Sequence, residues 1–144
     1  MLLVVDVNAV FSALCSKGVS YEVFELNSTH KYFEFVAPEY AFLELENNMA
    51  RLLSQTRLQP EEISKLLEFI KENIKIIPAE EFCEQVPKAF RILEKHPKDA
   101  PYLALALKLD CKILSGDKIL KELYPHKVVT PRQALDDIQS SKAP

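Results

Sequence analysis

Glycine is nearly missing from this chain, with Gly18 and Gly116 the only two in 144 residues. A P-loop and a dinucleotide fingerprint both need several glycines to let backbone approach phosphate, so neither is present. Cysteine is sparse as well: Cys15, Cys83 and Cys111 are odd in number, far apart and lack C-x-x-C spacing. That argues against a zinc cluster or a disulfide framework, and leaves them as small buried hydrophobes. No stretch approaches the roughly 20 apolar residues of a membrane span, and no basic-then-apolar signal peptide opens the sequence. A cytoplasmic location is expected. There is no basic surplus either: 18 Lys and Arg against 21 Asp and Glu give a net charge of −3. The molecule as a whole is therefore no electrostatic magnet for nucleic acid, although a local basic rim or bound cations can still attract phosphate.

What is present is an ordinary globular composition, 48% hydrophobic and 27% charged, in a length that suits one domain with a full core. Residues 1–139 are expected to form that domain, and 140–144 a frayed tail. Leu2-Leu3-Val4-Val5 is an apolar run ending in Asp6, and Ile113-Leu114 leads through Ser115-Gly116 to Asp117. Continuous apolar runs of this kind mark strands buried on both faces. Further strands are expected at 32–37, 74–77 and 127–130. The intervening segments carry helical spacing, such as Ile63, Leu66, Leu67 and Ile70 after Gln59-Pro60-Glu61-Glu62. Pro38 is expected to open a helix that carries Phe42, Leu45, Met49 and Leu52-Leu53, Pro87 to interrupt one starting near residue 79, and Asn8 and Ser20 to cap two early helices. Strands separated by helices predict a parallel sheet with right-handed crossovers. The fold class is α/β, with a central, mostly parallel sheet of four to five strands flanked by helices.

In open α/β sheets, ligands bind beyond the carboxyl ends of the strands, where Asp6 and Asp117 fall. A carboxylate beside a core strand is costly without a partner, and no basic residue lies near Asp6 in sequence. Asp117 also suits a turn or a helix cap, and Asp99, before Ala100-Pro101, suits an N-cap. A fourth acid, Glu44, flanks an apolar helical stripe, but spacing alone does not choose it over Glu39 or Glu46. Acids converging on one spot repel, and such a cluster makes sense mainly around a divalent cation. The three histidines, His30, His96 and His126, share no ligand spacing, and none is expected to be catalytic. Tyr102 and Phe11 are expected to pack in the core rather than stack on a base.

The segments V-V-D-V-N-A-V (4–10), P-E-Y-A-F-L-E-L (38–45), K-D-A-P-Y-L-A-L-A-L (98–107), I-L-S-G-D-K-I-L (113–120) and V-V-T-P-R-Q-A-L (128–135) together resemble a PIN domain. That is the metal-dependent ribonuclease fold of VapC-type toxins and RNA-processing nucleases. The resemblance implies a catalytic set of Asp6, Glu44, Asp99 and Asp117, with Asp6, Asp99 and Asp117 as ligands of Mg²⁺ or Mn²⁺. Glu44 is implied as a further ligand or as the general base for water. Asn8 and Ser115 match polar positions beside the metal and, with Lys118, are implied as substrate-binding residues; Lys17, Lys118, Lys121 and Arg132 are candidate phosphate contacts, with solvated surface the plainer reading of each lysine and arginine. The implied activity is endoribonuclease cleavage of RNA, with an antitoxin protein and a homodimer as partners. The alternative is a non-catalytic PIN-like RNA-binding or assembly module. Three departures from the family pattern stand out: Val7 replaces a hydroxyl residue, Gly116 replaces Asn, and Ile119 and Lys121 stand where some members carry another acid. A second metal would then be held more weakly. A response-regulator receiver fits poorly, because Asp6 lacks an acidic neighbour and Ile77 runs into Pro78.

Overall fold

β1, Leu2–Val5, is the middle of a five-stranded, all-parallel sheet in the computed structural model, which describes residues 1–141. The strand order is β3-β2-β1-β4-β5, with β2 at Glu34–Pro38, β3 at Ile74–Ile77, β4 at Lys112–Leu114 and β5 at Val128–Val129. Val4 pairs with Val36 on one side and Ile113 on the other. The chain builds outward from β1 in one direction, then returns to place β4 and β5 on the opposite side. The ends of β1 and β4 therefore flank the point where the order reverses, the usual crevice of an open α/β sheet. This order also differs from the 2-1-3-4-5 arrangement of a receiver domain.

Helices α1 (Val7–Cys15) and α2 (Val19–His30) connect β1 to β2. α3 (Tyr40–Asn47), α4 (Met49–Gln55) and α5 (Pro60–Glu72) lead to β3. α6 (Val86–Ile92) and α7 (Ala100–Leu109) lead to β4, α8 (Lys118–Leu123) to β5, and α9 (Pro131–Ser140) closes the described chain. α7 is apolar nearly all round because it is buried nearly all round: Ala100 and residues 102–106 are each 0% exposed. It packs across β1, β2 and β4, while α2 packs between α1 and α9. The Gln59–Glu62 and Thr130–Gln133 capping boxes fix the starts of α5 and α9.

Several boundaries differ from expectation. Pro38 ends β2 rather than opening a helix; β1–β2 pairing stops at Val36, so its missing N–H is not needed on that side. The helix expected through Leu53 breaks at Asn48, whose amide donates to the Glu44 carbonyl at 2.8 Å in competition with the helical ladder. Pro87 lies in the first turn of α6, preceded by two 3₁₀ turns. Asp6 rather than Asn8 caps α1, and Gly18 rather than Ser20 precedes α2. Ser140 closes α9 and Ser141 follows it; the rest of the expected tail, 142–144, lies outside the described residues.

Candidate metal centre

Asp6 leaves β1 with its backbone N–H donating to the Leu114 carbonyl at 3.0 Å, so the end of β4 holds it at the reversal point. The residue is 2% exposed. Its Oδ2 accepts from the Ser115 hydroxyl at 2.7 Å and Oδ1 from the Asn8 N–H at 3.3 Å. Neither partner carries charge. Burial, then repulsion from Asp99 and Glu44, outweighs these two hydrogen bonds and raises the Asp6 pKa to about 7.

Ser115 does two things at once. While its hydroxyl donates to Asp6, its Oγ accepts the Asp117 N–H at 3.0 Å. Gly116, next along, donates its N–H to Asn8 Oδ1 at 3.4 Å. Asn8 and Ser115 thus tie the turn after β4 to the turn after β1, and both act as braces for the acids. At Asp117, Oδ1 accepts from the Ile119 and Leu120 N–H groups at 2.8 and 3.2 Å, which is the helix cap read from the sequence. The second oxygen is left for other work. Partial burial would raise the Asp117 pKa, but the hydrogen bond from His96 and those helix N–H groups together lower it.

Asp99 departs from its expected role. It is the last residue of a 3₁₀ turn, Pro97–Asp99, with φ −92° and ψ 1°, and its side chain makes no capping bond to α7. The carboxylate turns instead toward His96, whose Nε2 lies 2.9 Å from Asp99 Oδ2 and 3.1 Å from Asp117 Oδ2. With only acceptors facing it, Nε2 carries the proton, and its hydrogen bond goes to Asp117. Asp99 Oδ2 stays buried against the same nitrogen, without a hydrogen bond. Its pKa is raised to about 6 by burial and by Asp117 and Glu44, against the pull of His96 and Lys98. No ligand spacing marked His96 in the sequence. The available signal was H-P-K-D itself, since residues three apart eclipse in a 3₁₀ turn.

Glu44, on α3, accepts at Oε1 from the hydroxyl of buried Tyr102 on α7 at 2.7 Å. Tyr102 is core, as expected, but its polar tip orients an acid. Burial and this bond push its own pKa upward. Asp6, Glu44 and Asp99 line one narrow cleft of about 70 Å³ together with Asn8, Phe11, Arg51 and Lys98. Larger grooves exist elsewhere, but they hold none of these acids. The Arg51 guanidinium covers the Phe11 ring at 4.4 Å. Arg51 and Lys98, not singled out in the sequence, are therefore the basic residues at the rim.

The expected phosphate contacts scatter. Lys17 lies in a separate groove and pairs with Glu62 at 3.8 Å. Lys121 is committed to the Val128 carbonyl at 2.9 Å. Lys118 is exposed beside Asp117, and Arg132 is exposed on α9.

Asp6, Glu44, Asp99 and Asp117 start on four different elements, yet Asp99 links the Asp6–Glu44 cleft to the His96–Asp117 pair. The donor set is carboxylate oxygen with one imidazole nitrogen, and one buried oxygen has no hydrogen bond. Those are the groups that hold a divalent cation, whose charge would relieve both the repulsion and the burial cost. A parallel α/β sheet with acids at its reversal point defines the class. A family model described as PIN domain matches residues 4–139. The chain is also 30% identical over 134 residues to Ribonuclease VapC3 of Pyrobaculum aerophilum, an alignment covering 91% of this chain and 100% of that relative. The chain belongs to the PIN domain family.

Proposed function

We propose that the protein is a metal-dependent endoribonuclease whose centre is built from Asp6, Glu44, Asp99 and Asp117. The observation that carries this reading is the mutually repelling set of acids at the sheet's reversal point, Asp6 and Asp99 buried, with no basic residue hydrogen-bonded to Asp6 among the described residues. Membership of the PIN family and likeness to a protein named a ribonuclease support it.

Asp6, Asp99 and Asp117 would hold Mg²⁺ or Mn²⁺, with Ser115 and Asn8 fixing Asp6 in place. When bound, the cation supplies an activated water and stabilises the charge that builds on a phosphodiester. Glu44 faces the same cleft and takes the proton of the attacking water at its carboxylate, with the Tyr102 hydroxyl setting its orientation. Arg51 and Lys98 receive the RNA phosphates, and Lys118 extends the basic rim past Asp117. An antitoxin-type partner and a homodimer come with the resemblance to VapC-type toxins, and sizing in solution tests the latter. No helix among the described residues is long and apolar enough to cross a membrane.

Calorimetric titration with Mn²⁺ tests the reading. The wild type binds the ion and Asp6→Asn, still folded by circular dichroism, loses most of that affinity. Equal binding by both proteins would remove Asp6 from the centre, and a folded wild type that binds no ion would leave the non-catalytic module as the better account.

A further inference from the structure

We propose that His96 is a metal ligand, closing with Asp99 and Asp117 a mixed nitrogen–oxygen subsite that prefers Mn²⁺ to Mg²⁺. This rests on the reading above and adds to it a residue outside its four-acid set. His96 reaches the Asp117 side of the centre from the turn after α6.

Three observations support the assignment. The ligand atoms of His96, Asp99 and Asp117 all lie within 4.8 Å of one another. The Nε2 distances to the two carboxylates, 2.9 and 3.1 Å, equal the spacing of neighbouring donors on a six-coordinate ion, about 3.0 Å for bonds of about 2.1 Å. Exchanging the Nε2 proton for a cation therefore asks little movement of the side chains. Finally, Asp99 Oδ2 is buried without a hydrogen bond, its side chain only 6% exposed, and lies against the same ring nitrogen. The single Nε2 hydrogen serves Asp117, so Asp99 Oδ2 is left facing the same nitrogen without a donor.

The metal preference follows from donor chemistry. Mg²⁺ is bound through oxygen and water and gains little from imidazole. Affinity for nitrogen donors rises from Mn²⁺ through the later divalent ions. The neighbouring cleft, lined by Asp6, Glu44 and Asp99, offers carboxylate oxygen alone from its acids. Asp99 is common to both, so the centre has a hard side and a softer side.

Pulsed EPR of Mn²⁺ bound to the full chain reads the ligand directly. Imidazole coordination gives a ¹⁴N coupling, which ¹⁵N-histidine labelling shifts and which His96→Gln abolishes. In equilibrium titrations, His96→Gln weakens Mn²⁺ about tenfold or more while changing Mg²⁺ far less, so the Mn²⁺/Mg²⁺ affinity ratio falls. Bound Mn²⁺ without nitrogen coupling in the wild type, or a coupling that survives His96→Gln, overturns the assignment while leaving the four-acid centre intact. A wild type that binds neither ion overturns both.

Discussion

Asn in place of Asp6 should make the metal-free protein more stable while disabling it. Asp6 carries a pKa raised from 3.8 to about 7. Above pH 7 its ionised form therefore costs the fold roughly 4 kcal/mol relative to the unfolded chain, at about 1.4 kcal/mol per unit. Asn removes that charge and can keep an acceptor for the Ser115 hydroxyl, but it introduces amide hydrogens that need partners, at about 1–2 kcal/mol. The net gain at pH 8 is about 2–3 kcal/mol, or roughly 5–10 °C in Tm for a domain of this size. The sign follows from linkage. Between pH 7 and 4 the folded wild type holds a proton on Asp6 that the unfolded chain has lost, so the Asp6 contribution to stability rises as pH falls. The advantage of Asp6→Asn should shrink to near zero by pH 5. Urea denaturation in EDTA at pH 8 and pH 5 measures this. A variant no more stable than wild type at pH 8, or a gain unchanged at pH 5, would refute the account of Asp6 as a desolvated, repelled acid.

Two further changes probe the braces. Ser115→Ala removes the donor to Asp6 and orphans the Asp117 N–H together; urea melts should show a loss of about 1–3 kcal/mol, larger at pH 8 than at pH 5 because the ionised Asp6 suffers most. Tyr102→Phe should cost about 1 kcal/mol or less, since half-exposed Glu44 can take water in place of the lost hydroxyl. Steady-state cleavage should then show kcat falling with KM little changed, because Glu44 acts on the water and not on RNA binding.

The sheet was legible because its strands obey simple rules. Leu2–Val5 is unbroken apolar sequence, as a strand buried on both faces must be, and α7 reads as buried because it has no polar side until Lys108. The capping box at Gln59–Glu62 announced α5 in four residues. Pro38 misled because proline serves equally as a helix opener and as the last residue of a strand, and local sequence does not say where pairing ends. Asp6 was legible as an anomaly, a charge at the end of a buried run. Asp99 was legible as a residue but not in its role, since the 3₁₀ turn before it frees the carboxylate that a regular N-cap would occupy. His96 was illegible in that its partner Asp117 lies 21 positions away and is brought near only by the return of the chain to β4. Arg51 likewise lines the cleft from α4, beyond the break at Asn48, which no periodicity signals.

Cleavage of a dye-labelled single-stranded RNA by the purified protein tests the central claim most directly. In Mn²⁺ or Mg²⁺ the wild type should cut, EDTA should stop it, and folded Asp6→Asn should be reduced by at least about a hundredfold, while Lys17→Ala, in the remote groove with Glu62, cuts like wild type. Cutting that persists in EDTA, or that is undiminished in Asp6→Asn, would contradict the account.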